Sequence, residues 1–116
     1  MKISELSNQT GVSVRSLRYY EEKNLLHPTR LENGYRIYAN EDIGRVKTIQ
    51  LYLSVGLTAD KISHIMNCPP EQHGSECKTM ALTMYEKKLV EINEKIEVLQ
   101  MAKAYIENKI SYWKEV

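Results

Sequence analysis

The chain has 116 residues, with 27% charged and 42% hydrophobic side chains and a net charge of +1. That size and balance fit one compact domain with an appendage, and they exclude a disordered chain or a large multidomain enzyme. The first ten residues, MKISELSNQT, lack the apolar stretch of a signal peptide. With two cysteines in the chain as well, they predict a cytoplasmic protein with reduced thiols. No apolar run approaches membrane-spanning length, so no membrane partner is expected.

Charge is more informative by position than in total. Residues 1–67 carry nine Lys/Arg against seven Asp/Glu, and residues 68–116 carry seven against eight. Four arginines fall between Arg15 and Arg36, interleaved with tyrosines. Phe is absent and Tyr supplies 8 of the aromatic residues, which places aromatic surface with one wet end at an interface.

In chain order, Ile3 to Thr10 predicts a short first helix stopped by Gly11. Ser13 then caps a second helix running to about Lys23, with Val14 and Leu17 inward and Arg15 and Arg18 outward. Helix, glycine turn, helix is the pattern of a helix-turn-helix. Pro28 ends the helical region. Asn33-Gly34 marks a hairpin turn between Pro28–Leu31 and Tyr35–Tyr38, a small wing supported by Leu25, Leu26 and Ile37. Asn40 is placed to cap a third helix, with Glu41 and Asp42 in its first turn and Ile43, Val46, Ile49 and Leu53 on one stripe. Gly56 stops it. Thr58 caps a fourth helix burying Ile62, Ile65 and Met66, and NCPPEQHGSEC reads as a linker.

The last segment repeats at heptad spacing. Leu82, Tyr85, Leu89, Ile92, Ile96, Leu99, Lys103, Ile106, Ile110 and Trp113 alternate by three and four, with Lys103 as the polar interruption. A helix over residues 77–114 is about 57 Å long at ~1.5 Å per residue. The front domain is too small to cover such a stripe, so a second copy of the chain is the predicted partner. The fold expectation is therefore mainly α: a winged helix-turn-helix head over residues 1–67, a linker over 68–76, and a long dimerisation helix over 77–114 forming an antiparallel coiled coil. Its seam is Leu82, Tyr85, Leu89, Ile92, Ile96, Leu99, Ile106 and Ile110.

A helix with two outward arginines, followed by a wing and joined to a dimerising helix, points to duplex DNA. The stretches ISELSNQTGVSVRSLRYYEEKNLL, ENGYRIYANEDI and SVGLTADKI, in this order and followed by the long helix, resemble the MerR family of bacterial transcription regulators. The likeness covers residues 2–66 closely. It implies DNA contacts at Arg15, Ser16, Arg18 and Tyr19 of the recognition helix, at Tyr35, Arg36 and Tyr38 of the wing, and at Lys61. Tyr20 is open between a DNA contact and packing of helix against wing, whereas Lys23 and Arg30 read as solvated surface. The resemblance further implies a homodimer on promoter DNA that bends and untwists the duplex when an effector binds, realigning it for RNA polymerase.

The effector is not legible, and no cofactor is assigned. His64, Cys68, His73 and Cys77 combine imidazoles and thiols suited to zinc or copper. Their spacing matches no familiar zinc motif, and metal-responsive relatives carry further cysteines after the long helix. Short relatives that respond to reactive aldehydes carry a cysteine before VGLT, where Leu51 stands here. These four residues remain candidates for metal or thiol sensing. Two other classes fit parts of the chain, and an enzyme is not expected. A thiol- or zinc-dependent small enzyme would rest on the same four residues. A coiled-coil adaptor would leave Arg15, Arg18, Arg36 and the Asn-Gly hairpin without a task.

Overall fold

The structure is a computed structural model that describes residues 1–68 and 75–116. It divides into two compact units, Met1–His73 and Gly74–Val116.

The first unit contains α1 (Ile3–Thr10), α2 (Val14–Glu22), β1 (Thr29–Arg30), β2 (Arg36–Ile37), α3 (Glu41–Ser54) and α4 (Ala59–Met66). The turn between α1 and α2 is closed by its own polar residues. Gly11 adopts φ +75°, the left-handed region that favours glycine, and donates its N–H to Ser7 O at 2.8 Å. Ser7 Oγ donates to Val12 O at 2.7 Å, and Thr10 Oγ1 accepts from Val12 N at 3.2 Å. Ser13 caps α2 as expected, accepting from Ser16 N at 3.1 Å. Thr58 caps α4 in the same way through Lys61 N.

Asn40 does not cap α3. Its backbone is already helical and its side chain makes no capping bond. Asp42 takes over from inside the helix, accepting the Ala39 N–H at 3.0 Å. The donor it satisfies is the Ala39 N–H just before the helix, not the first-turn N–H groups that a capping Asn40 would serve.

The wing is shorter than its hydrophobic flanks suggested. Two strands of two residues pair antiparallel, with Thr29 opposite Ile37 and Arg30 opposite Arg36. Gly34 N donates to Leu31 O at 2.9 Å, and Leu31 N donates to Tyr35 O at 2.8 Å. Asn33 keeps a negative φ while Gly34 sits at +86°. The connection is therefore a three-residue loop with glycine in the left-handed position, not a two-residue mirror-image turn.

The core gathers Leu6, Val12, Leu17, Tyr20, Leu25, Leu26, Tyr38, Val46, Ile49, Leu57, Ala59 and Ile62. Each fully buried Leu or Ile contributes about 1.5–3 kcal/mol of transfer free energy. Leu53 departs from the expected inward stripe of α3 and is 36% exposed. A polar joint ties α3 and α4 to the turn after α2. Arg45 Nε donates to Leu25 O, and Arg45 Nη2 donates to Asn67 Oδ1 at 2.9 Å. Asn67 Nδ2 donates to Asn24 O at 2.6 Å. Asn24 itself adopts φ +60°, a conformation asparagine tolerates better than most side chains.

The second unit is one helix, α5 (Ser75–Glu115), of 41 residues, about 60 Å long. It begins two positions before the expected start. Along the heptad stripe, Leu82, Tyr85, Leu89, Ile96, Leu99, Ile106, Ile110 and Trp113 are all exposed in the single protomer. Among the described residues no helix is long and apolar enough to cross a membrane.

Candidate nucleic-acid interface

The face of α2 is settled by which residues the core takes. Leu17 and Tyr20, three apart, are 0% and 6% exposed. Their burial turns Arg15, Arg18 and Tyr19 outward, and all three are exposed. Tyr19 carries Lys23 Nζ 6.0 Å from its ring centroid, a weak cation–π contact at a wet surface. Ser16 belongs to the first turn, where its hydroxyl accepts from Ser13 Oγ at 3.0 Å. Tyr20, left open by the sequence, packs in the core, where burial pushes its phenol pKa up.

The wing residues separate into three environments. Tyr35 is 66% exposed at the end of the hairpin loop, its N–H held by Asn33 Oδ1 at 3.1 Å. Arg36 is half-buried. Its Nε lies 2.9 Å from both carboxylate oxygens of Glu21, which leaves the two Nη groups to other acceptors. Arg30, across the ladder, approaches the same carboxylate at 3.8 Å and is not simply solvated surface.

Tyr38 corrects an expectation. It is 1% exposed and part of the core, so its side chain supports the wing from beneath and does not face outward. Its main chain pairs with Met1 in both directions. The Met1 amino nitrogen donates to Tyr38 O, and Tyr38 N donates to Met1 O, each at 2.7 Å. Among the described residues its hydroxyl has no hydrogen-bond partner. Burial raises the Tyr38 pKa above the ordinary phenol value. Glu21 and Asp42 raise it further, while Arg36 and Arg18 pull the other way.

Lys61 is exposed in the first turn of α4, and Lys23 pairs with Asp60 at 3.5 Å. Exposed basic side chains of this unit include Arg15 and Arg18 on α2, Arg30 on the wing and Lys61 at the start of α4. Alternating arginine, lysine and tyrosine there can contact phosphates and base edges.

The sensing candidates come out differently. The expectation of reduced thiols is overturned: Cys68 and Cys77 are disulfide-bonded, and neither is free. A disulfide sulfur is not the thiolate that zinc or copper requires. Among the described residues no group of three or more His, Cys, Asp or Glu is placed to hold a metal ion. His64 is exposed on α4, and His73 lies outside the described residues. Leu51, at the position where a reactive cysteine would stand, is 62% exposed.

Comparison with known proteins agrees with this arrangement. Residues 1–68 match the family model described as MerR HTH family regulatory protein. The chain belongs to the MerR family. Among its relatives, the HTH-type transcriptional regulator CueR of Escherichia coli O6:H1 is 32% identical over 103 residues, covering 86% of this chain and 73% of that protein. The HTH-type transcriptional regulator HmrR of Rhizobium leguminosarum is 26% identical over 110 residues, covering 95% and 84%.

Two solved structures share the fold. One is HiNmlR, a MerR family regulator lacking the sensor domain and bound to promoter DNA, with a TM-score of 0.78 and 20% identity over 98% of this chain and 90% of that one. The other is a MerR family regulator from Listeria monocytogenes, with a TM-score of 0.80 and 24% identity over 98% and 86%. This MerR-family chain is a DNA-binding transcription regulator and not an enzyme.

The sequence reading missed the Glu21 contact to Arg30 and Arg36, the Arg45–Asn67 joint and the Met1–Tyr38 pair. The Glu21 contact had a partial signal, because two arginines opposite one another in a hairpin need a counter-charge.

Proposed function

We propose that this protein binds promoter DNA in the cytoplasm as a homodimer and distorts the duplex in response to an effector, realigning it for RNA polymerase. The observation that carries the reading is α2: Leu17 and Tyr20 are buried while Arg15, Arg18 and Tyr19 stand outward on one face. In this reading Arg15 and Arg18 reach base edges or phosphates in the major groove. Ser16, Tyr19, Tyr35, Arg36 and Lys61 fix the register on the backbone. The α5 stripe pairs with that of a second copy as an antiparallel coiled coil, and the two-fold axis predicts a near-palindromic site. A duplex held in a distorted form contributes selectivity through its own deformability.

A specific observation also favours one class of effector. The oxidised state of Cys68 and Cys77 supports a thiol–disulfide response over metal sensing through His64, Cys68, His73 and Cys77. Disulfides in a reducing compartment are usually transient and redox-sensing. Closing the bond from two thiols releases two electrons and two protons, which a peroxide takes up in forming water.

The test is in vitro transcription and DNA binding with reduced and peroxide-treated protein, beside a Cys68→Ser variant. A redox effector changes output in the wild type and leaves the variant unresponsive. Equal output from both redox forms, with a response to added zinc or copper, contradicts the thiol reading.

A further inference from the structure

We propose that Glu21 is a positioning residue of the DNA interface. Its carboxylate holds both wing arginines against the recognition helix, and it limits the charge the wing presents to DNA. This rests on the reading of α2 and the wing as the DNA-contacting surface.

The wing on its own is weak. It consists of two strands of two residues each, and an isolated hairpin is marginal in water. Its ladder also opposes Arg30 directly to Arg36, and like charges at paired positions destabilise a sheet. One group resolves both difficulties. Glu21 lies on α2, and its carboxylate is 2.9 Å from Arg36 Nε and 3.8 Å from Arg30 Nη2. The Glu21 side chain is 21% exposed, against 37% for Arg36 and 62% for Arg30. The Arg36 contact is thus partly shielded from water, and the Arg30 contact is looser and wetter.

The geometry has two consequences for DNA. Arg36 is anchored through Nε to the helix that carries Arg15 and Arg18, so the spacing between the major-groove contacts and the wing contact is fixed before DNA arrives. The two arginines and one carboxylate together present a single net positive charge. Phosphate attraction independent of sequence is therefore restrained relative to the base contacts on α2. Tyr38 is beneath the same cluster, its phenol sensing Glu21, Arg36 and Arg18.

The test uses the full-length dimer and a selected operator duplex beside an unrelated duplex of equal length, over a range of salt. Glu21→Gln keeps the side-chain shape and removes the charge. The expected result is stronger non-specific binding and a specific-to-non-specific ratio lower by about tenfold. The salt dependence should steepen by about one phosphate contact, a change near −0.9 in the log–log slope. The double variant E21Q/R30Q restores the net charge and should return the slope to the wild-type value. A fault confined to folding would change the denaturation midpoint without changing the slope.

An unchanged ratio and slope in E21Q, with Arg36→Ala and Arg30→Ala weakening binding, overturns the role of Glu21 and leaves the wing reading intact. Unchanged binding in both arginine variants overturns the wing reading and this inference with it. Should E21Q not fold, R30Q alone decides: the proposal expects a slope shallower by about one contact, and an unchanged slope contradicts it.

Discussion

Arg45 and Asn67 join two helices through a single side-chain bond: Arg45 Nη2 on α3 donates to Asn67 Oδ1, just past α4, at 2.9 Å. The same guanidinium donates through Nε to Leu25 O, and Asn67 passes the connection on to Asn24 O. Three segments that the apolar core only packs together are thereby fixed in direction. The turn they fix is the one that follows the recognition helix.

Arg45→Ala should therefore be costly for a residue that is only half-buried. It removes two charge-assisted donors and leaves Leu25 O and Asn67 Oδ1 without these partners. The expected loss is about 2–3 kcal/mol, read as a lower denaturant midpoint with dimer mass retained. A midpoint within about 0.5 kcal/mol of wild type would show that water replaces the guanidinium.

Tyr38→Phe separates a core role from a phosphate contact. The hydroxyl is buried without a partner among the described residues, so its removal should be neutral or stabilising by up to about 1–2 kcal/mol. Operator affinity should stay within about threefold, because a shift of 1.4 kcal/mol is needed for tenfold. A tenfold loss would mean that DNA draws the tyrosine out of the core.

The same residue gives a pH prediction. Burial, Glu21 and Asp42 raise the Tyr38 pKa in the folded chain, whereas the unfolded chain titrates near 10. Above that value the unfolded state loses protons that the folded state retains, so stability falls as pH rises through the folded pKa. Wild type should thus lose more stability than Tyr38→Phe between about pH 9.5 and 11. Parallel curves for the two proteins would contradict the raised pKa.

Dimerisation is tested at the middle of the heptad stripe. Ile96 and Leu99 are 45% and 67% exposed in the single protomer and lie at the middle of the stripe. Ile96→Lys with Leu99→Lys places two like charges per chain at the seam and should halve the mass measured by light scattering. It should leave the first unit folded. A dimer that survives both substitutions would place the seam elsewhere.

The legible parts of the sequence were those set by local rules. Gly11, Ser13 and Thr58 punctuate helices because a left-handed residue or a capping hydroxyl acts within one turn of its own position. The outward direction of Arg15 and Arg18 followed from the burial of Leu17, a short-range helical relation. Tyr38 was placed among the wing contacts by resemblance alone; its burial depends on long-range packing, and its main-chain partner Met1 lies 37 positions away. Glu21 was overlooked for a related reason, since its contact with Arg36 spans 15 positions. Asn40 failed as a cap because its own backbone is already helical, which turns its side chain away from the first-turn N–H groups. The disulfide-bonded state of Cys68 and Cys77 escaped because cysteine state was inferred from compartment.

The most direct test of the central claim is selection of binding sites from a random duplex pool at fixed salt, followed by footprinting of wild type and Arg18→Ala on the enriched site. The account predicts one near-palindromic sequence protected by the dimer, with Arg18→Ala weaker by about 1–3 kcal/mol and unchanged in dimer mass. No enriched sequence, or equal protection by Arg18→Ala, would show that the outward face of α2 does not read DNA.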